Sequence, residues 1–165
     1  MGKPRYGALR STFSRYKSEA AGSDKHYSFG IPAAVKSDTL HLFESAVDLL
    51  SYGTLLKLYG KDWRSDNLLS LAGVYRPKKE ISESTLPAAL VRYLDEYPHI
   101  RKVVLRLDND LTGKLAAETI KTLLPRKYAV DVESKPPPQG KDYNDCLCLK
   151  LGLPITKRKE KTRER

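Results

Sequence analysis

From residue 38 onward, short apolar runs alternate with stretches whose apolar residues recur every three or four positions. That is the pattern of strands joined by crossover helices. The runs 40–43, 68–74, 103–107 and 128–132 read as strands. Residues 45–59, about 87–97, 115–124 and 145–151 read as helices, the first ended by Gly60 and the third closed by Pro125. A stiff Pro-Pro-Pro-Gln-Gly loop at 136–140 precedes the last helix. Four βα units in this order predict an α/β fold: an open, mostly parallel sheet of about four strands, with right-handed crossovers and helices on both faces. Residues 1–37 break the pattern. Short strands at 6–10 and 26–31, a Gly-Ser-Asp-Lys turn at 22–25 and a stop at Pro32 predict a small strand-rich N-terminal segment. The expected organisation is therefore 1–37, 38–152 and a tail at 153–165.

Sheets of this kind place their sites outside the carboxyl ends of the strands, so the side chains at those ends carry the functional argument. The first strand runs into Glu44, with Asp48 four residues on and on the same side of the first helical turn. The third ends in Asp108-Asn109-Asp110, and the fourth is followed by Gly140-Lys141-Asp142-Tyr143-Asn144-Asp145. A parallel sheet projects all of these toward one crevice. Clustered carboxylates repel unless a cation neutralises them, and oxygen ligands without thiolate or imidazole suit Mg²⁺, with Mn²⁺ as the alternative. Metal-assisted phosphoryl transfer is the expected chemistry. Asp108 and Asp110 would hold the metal, Glu44 would serve as general acid or base, and Lys141 would meet phosphate as a point charge. The competing structural readings are ordinary ones: acids at a helix start favour its dipole, and Lys141 with Asp142 could be a surface pair.

The distribution of charge points to a partner. The chain has 165 residues and a net charge of +10. Residues 1–27 and 156–165 each set six cations against two carboxylates, leaving a nearly neutral centre. Basic ends suit a polyanion such as nucleic acid. Arg76, Lys78, Lys79, Lys114 and Lys141 are candidates for a phosphate track along the acidic edge. Trp63 could stack on a base but reads better as a loop anchor, and Tyr143 could position substrate or pack a helix. His41 reads as structural. Two cysteines and three histidines do not supply a four-ligand zinc finger. No apolar run reaches the roughly 18 residues of a membrane span, and no secretory pattern opens the chain. A cytoplasmic protein without membrane contact is expected.

Glu44-Ser45-Ala46-Val47-Asp48, Leu107-Asp108-Asn109-Asp110-Leu111-Thr112-Gly113 and Gly140-Lys141-Asp142-Tyr143-Asn144-Asp145 together resemble the Toprim domain over about residues 38–151. The likeness is greatest to the bacterial primase-like branch, including forms carried by plasmids and mobile elements. The resemblance implies a Toprim-like α/β fold in which Glu44 serves acid–base chemistry and Asp108 and Asp110 bind Mg²⁺. Asp48 and Asp142 match further acids of the primase-like form, so the implied metal set is Glu44, Asp108, Asp110 and Asp142, and the implied catalytic set is Glu44, Asp48 and Lys141. It also implies a Mg²⁺-dependent nucleotidyltransferase or nuclease working in DNA replication or mobile-element maintenance, on DNA in preference to RNA. A separate zinc-binding or helicase partner would supply what this length lacks. Two departures stand out: Ser45 where the family often has glycine, and Thr112 where it often has alanine. The alternatives are a non-catalytic nucleic-acid-binding or assembly module and, ranked lower, a phosphoacceptor receiver domain. The latter needs a single acceptor aspartate rather than the Asp-x-Asp pair.

Overall fold

The computed structural model describes residues 3–155 other than 12, 13, 15 and 74. The basic tail at 156–165 lies outside the described residues. Eleven elements follow in chain order: β1 (Ala8–Arg10), β2 (Lys17–Glu19), β3 (Gly30–Ile31), β4 (Thr39–Phe43), α1 (Ala46–Leu58), β5 (Asn67–Ser70), α2 (Ala88–Glu96), β6 (Lys102–Leu105), α3 (Leu111–Lys127), β7 (Asp131–Ser134) and α4 (Tyr143–Lys150).

Alternation along the central strands decides the layers. In β4, Leu40 and Leu42 turn to one face, and His41 and Phe43 to the other. The first face joins Leu69, Val103 and Leu105 to Leu90 and Leu94 of α2 and Ala116, Ile120 and Leu124 of α3. The second joins Phe43 and Leu68 to Leu49, Tyr52 and Leu55 of α1 and Tyr143 and Cys146 of α4. Two helices thus cover each face, as the βα pattern predicts. The buried side-chain groups among the described residues all have hydrogen-bond partners. No helix among them is long and apolar enough to cross a membrane.

The sheet order is β3-β5-β4-β6-β7, with β3 antiparallel and the remaining pairs parallel. From β4 the chain crosses through α1 to β5 on one side, whereas from β6 it crosses through α3 to β7 on the other. Adjacent strands that leave in opposite directions create a crevice between their carboxyl ends. Glu44 follows β4 at that point, and Asp108 follows β6.

Several boundaries differ from the sequence expectation, each for a local reason. The N-terminal hairpin pairs β1 with β2, Ala8 opposite Glu19 and Arg10 opposite Lys17, so the expected turn at 22–25 lies beyond it. Residues 25–27 form a 3-10 turn capped by Asp24, and β3 adds an antiparallel fifth strand to the main sheet. Tyr27 lies between the guanidinium groups of Arg5 and Arg92, 4.0 and 4.2 Å from its ring centre, which docks this segment on α2. The strand expected at 68–74 stops at Ser70, because Ala72 (φ 59°) and Gly73 (φ 108°) turn the chain aside. The helix expected at 115–124 begins at Leu111 and passes through Pro125. Proline forfeits one amide bond in the last turn, while Leu124, fully buried, extends the apolar stripe of Ala116 and Ile120. That longer helix moves the next strand to Asp131–Ser134.

Candidate metal centre

Helix starts organise three of the rim acids. Ser45 caps α1, and its hydroxyl donates to Asp48 Oδ2 at 2.5 Å. Asp110 caps α3, accepting from the Gly113 amide at 2.9 Å, and Asp142 caps α4, accepting from the Asp145 amide at 2.7 Å. The two motif loops are then tied together. The Asn109 amide donates to the Lys141 carbonyl at 2.6 Å, and the Lys141 amide donates to Asp145 Oδ2 at 3.1 Å. At the other flank the Gly73 amide donates to the Glu44 carbonyl at 3.0 Å.

Two glycines permit this approach. A Cβ at Gly113 would sit 2.0 Å from the Asp108 carbonyl oxygen. Gly140 has φ +77°, and a Cβ there would sit 2.5 Å from that of Asp145. An exposed helical Gly→Ala change ordinarily stabilises. Gly113→Ala is instead expected to destabilise by about 2 kcal/mol through overpacking, seen as a lowered thermal midpoint. An unchanged or higher midpoint would show that the α3 start does not depend on this contact.

Asp48, Asp108 and Asp142 meet: one carboxylate oxygen from each lies within 4.8 Å of the others. An octahedral ion with oxygens at about 2.1 Å separates its ligands by about 3 to 4.2 Å, so a small closure of this all-carboxylate triad fits a hard divalent cation. The expected metal set, Glu44, Asp108, Asp110 and Asp142, shares Asp108 and Asp142 with this triad; Asp48, expected in the catalytic set, occupies the third place. Asp110 stands beside it, its Oδ2 3.2 Å from Lys141 Nζ, and the same ammonium pairs with Asp108.

The electrostatics follow from burial. Glu44 is pushed up to about 7, first by burial and then by the charge of Asp108, with Lys141 opposing. Asp48 is pushed up to about 6 by burial, against hydrogen bonds from Ser45 and the Asn144 amide. Burial raises Asp108 as well, with Lys141 partly offsetting it. Burial alone would lower Lys141, but its bonds to Asp108 and Asp110 hold it above the usual lysine range. A carboxyl near 7 can give or take a proton at neutral pH.

Arg76, Lys78 and Lys79 are exposed on the loop that leaves β5 beside Glu44, and that loop's 81–83 turn rests on α3. Lys114 is exposed on the first turn of α3. Tyr143 is 4% exposed and belongs to the core, and Cys146 packs beside it. Trp63 lies against Gly53 of α1 and lines an apolar cavity of about 210 Å³ with Ile31, Leu49 and Leu68, which suits an anchor. A more open depression of about 570 Å³ lies among Lys36, Ser37, Asp38, Ser65, His99 and Arg101. These residues flank the amino ends of the strands, opposite the acids.

Sequence reasoning passed over one residue. Arg106 stands between Leu105 and Leu107, so it faces the α1/α4 layer, and it donates to His41 Nδ1 at 2.8 Å and to Tyr143 Oη at 2.7 Å. The signal was an arginine at an inward position of an otherwise apolar strand. His41, lowered to about 4 by burial and then by Arg106, is neutral. Its Nε2 carries the proton and donates to Asp66 Oδ2 at 3.1 Å. A family model described as Toprim-like matches residues 41–147, from β4 to α4. Comparison with curated proteins gives no match.

Proposed function

The chain belongs to the Toprim-like family, and on that premise we propose that it is a divalent-metal-dependent phosphoryl-transfer domain acting on nucleic acid in the primase-like manner. The activity is primer synthesis or phosphodiester cleavage, in replication or mobile-element maintenance, with DNA preferred. The observation that carries the reading is the convergence of Asp48, Asp108 and Asp142 from three separate elements at the point where the sheet reverses direction. Glu44 stands in the same electrostatic field.

In this reading Asp48, Asp108 and Asp142 hold Mg²⁺ or Mn²⁺, with Asp110 and Glu44 at its margin. The bound ion supplies charge neutralisation for the phosphoryl group. Glu44 takes the proton from an attacking hydroxyl or returns it to a leaving oxygen; its value near 7 suits both. Lys141 donates to a phosphate oxygen from its place beside Asp108. Arg76, Lys78, Lys79 and Lys114 follow the strand's backbone on either flank. Residues 38–152 form the chemical unit, and the basic segments 1–37 and 153–165 extend the phosphate contact.

The test is plasmid nicking, strand cleavage and primer synthesis with Mg²⁺ or Mn²⁺, comparing the wild-type protein with Glu44→Gln. Loss of a general acid–base group is expected to lower turnover about 100-fold, with metal affinity nearly unchanged. Full retention of turnover by Glu44→Gln would remove the acid–base assignment. One observation favours the second reading, a binding module without turnover: the Lys141 ammonium already neutralises Asp108 and Asp110. Nucleic-acid binding indifferent to divalent cations, with no product, would establish it.

A further inference from the structure

Resting on that reading of the acidic rim, we infer that Arg106 is a positioning residue that sets the spacing of the carboxylates by joining the four elements that carry them. Its Nε donates to His41 on β4, three residues before Glu44. Its guanidinium lies 4.2 Å over the ring of Tyr52, one helical turn beyond Asp48 on α1. Its Nη1 donates to Tyr143, the residue after Asp142 on α4. Arg106 itself stands two residues before Asp108. One side chain therefore touches a near neighbour of every acid in the triad and of Glu44.

The contacts around it are fixed in turn. Ser37 Oγ donates to Asp66 at 2.7 Å, Asp66 accepts from His41, and His41 keeps Nδ1 free of a proton to accept from Arg106. At the far end, Tyr143 Oη donates to the Lys135 carbonyl at 2.9 Å. Phe43, Tyr52 and Tyr143 form an aromatic triangle with ring centres 5.2 to 5.9 Å apart. The arrangement needs a planar fork that can donate in two directions and stack at once. Lysine offers the charge without that geometry. Partners that orient ligands from behind typically contribute 10- to 100-fold in metal affinity.

The experiment compares Arg106→Gln, Arg106→Lys and Tyr143→Phe with Leu94→Ala, a core truncation on α2 in the opposite layer. Two readouts are taken besides the thermal midpoint: Mn²⁺ affinity from the electron paramagnetic resonance of free ion, and hydrogen exchange of the Asn109 amide without metal. That amide bridges the Asp108 and Asp142 loops. Both Arg106 variants are expected to weaken Mn²⁺ binding about 10-fold or more and to speed Asn109 exchange about as much. Tyr143→Phe, which keeps the ring, is expected to give a smaller change in the same direction. Leu94→Ala is expected to lower the midpoint with both other readouts unchanged. Rescue by Arg106→Lys, or losses that simply track the midpoint across all four variants, would overturn the inference. A wild-type protein that fails to bind Mn²⁺ would instead overturn the metal reading, and Asn109 exchange would still decide whether Arg106 sets the loop spacing.

Discussion

Asp108→Asn is expected to lower divalent-cation affinity by about 100-fold or more and to bring metal-dependent turnover to background, while the fold persists. Asp108 is 6% exposed and belongs to the carboxylate triad. An amide keeps its shape and one acceptor oxygen but not its charge, and a hard cation held by few protein ligands depends on that charge. The same substitution has a second signature. Asp108 is the foremost charge acting on Glu44, so its neutralisation should let the Glu44 carboxyl fall from about 7 toward the ordinary carboxylate range. Lys141 keeps Asp110 as a partner at 3.2 Å, so the stability change should be small. Calorimetry with Mg²⁺ and Mn²⁺ checks the first effect, and carboxyl ¹³C titration checks the second. Tight metal binding by Asp108→Asn, with Glu44 unmoved, would show that the rim is not one electrostatic unit.

The parts of this site that were legible in the sequence are those set by local rules. An apolar run ending in an acid and followed by a capping residue is visible at Phe43-Glu44-Ser45 and at Leu107-Asp108-Asn109-Asp110, and in each case the structure ends the strand and starts the helix within a few residues. The parallel sheet follows from the order of elements, so the meeting of residues 48, 108 and 142 at one rim follows as well. Which acids meet is a different matter. Glu44 and Asp48 share a helical side by spacing, but the docking of α4 on α1 decides that Asp48 faces Asp142; the Asn144 amide on Asp48 is a contact between elements 96 positions apart. Arg106 was hidden for the same reason, since its partners lie on three other elements. The shortest pieces were the least legible: a two-residue strand such as β3 has no period to read, and it is held by pairing with Leu68 and Leu69.

Without metal, the protein is expected to be most stable near pH 5 to 6 and to lose about 2 kcal/mol by pH 8, and Glu44→Gln/Asp48→Asn is expected to abolish most of that loss. Glu44 and Asp48, raised from 4.5 and 3.8 to about 7 and about 6, bind protons more tightly folded than unfolded. Their contribution is complete below their unfolded values and disappears as pH rises through the folded ones. His41 works the other way: lowered from 6.5 to about 4, it contributes fully above 6.5 and loses its contribution as pH falls toward 4, so it subtracts from the trend below 6.5 and leaves Glu44 to dominate above. Glu44 is also partly open to solvent, which screens its share; hence about 2 kcal/mol for the set, or about 4 to 8 °C in thermal midpoint for a chain of this size. The double variant should therefore melt above wild type at pH 8 and close to it at pH 5.5, although it binds Mn²⁺ far more weakly. A saturating divalent cation should flatten the wild-type profile by stabilising the ionised acids of the folded state. Parallel melting profiles for wild type and double variant between pH 5.5 and 8 would refute the expectation that Glu44 and the buried Asp48 are held together at a cost to the fold. A flattened profile in the variant would mean that the fold tolerates their repulsion for the sake of the ion they bind.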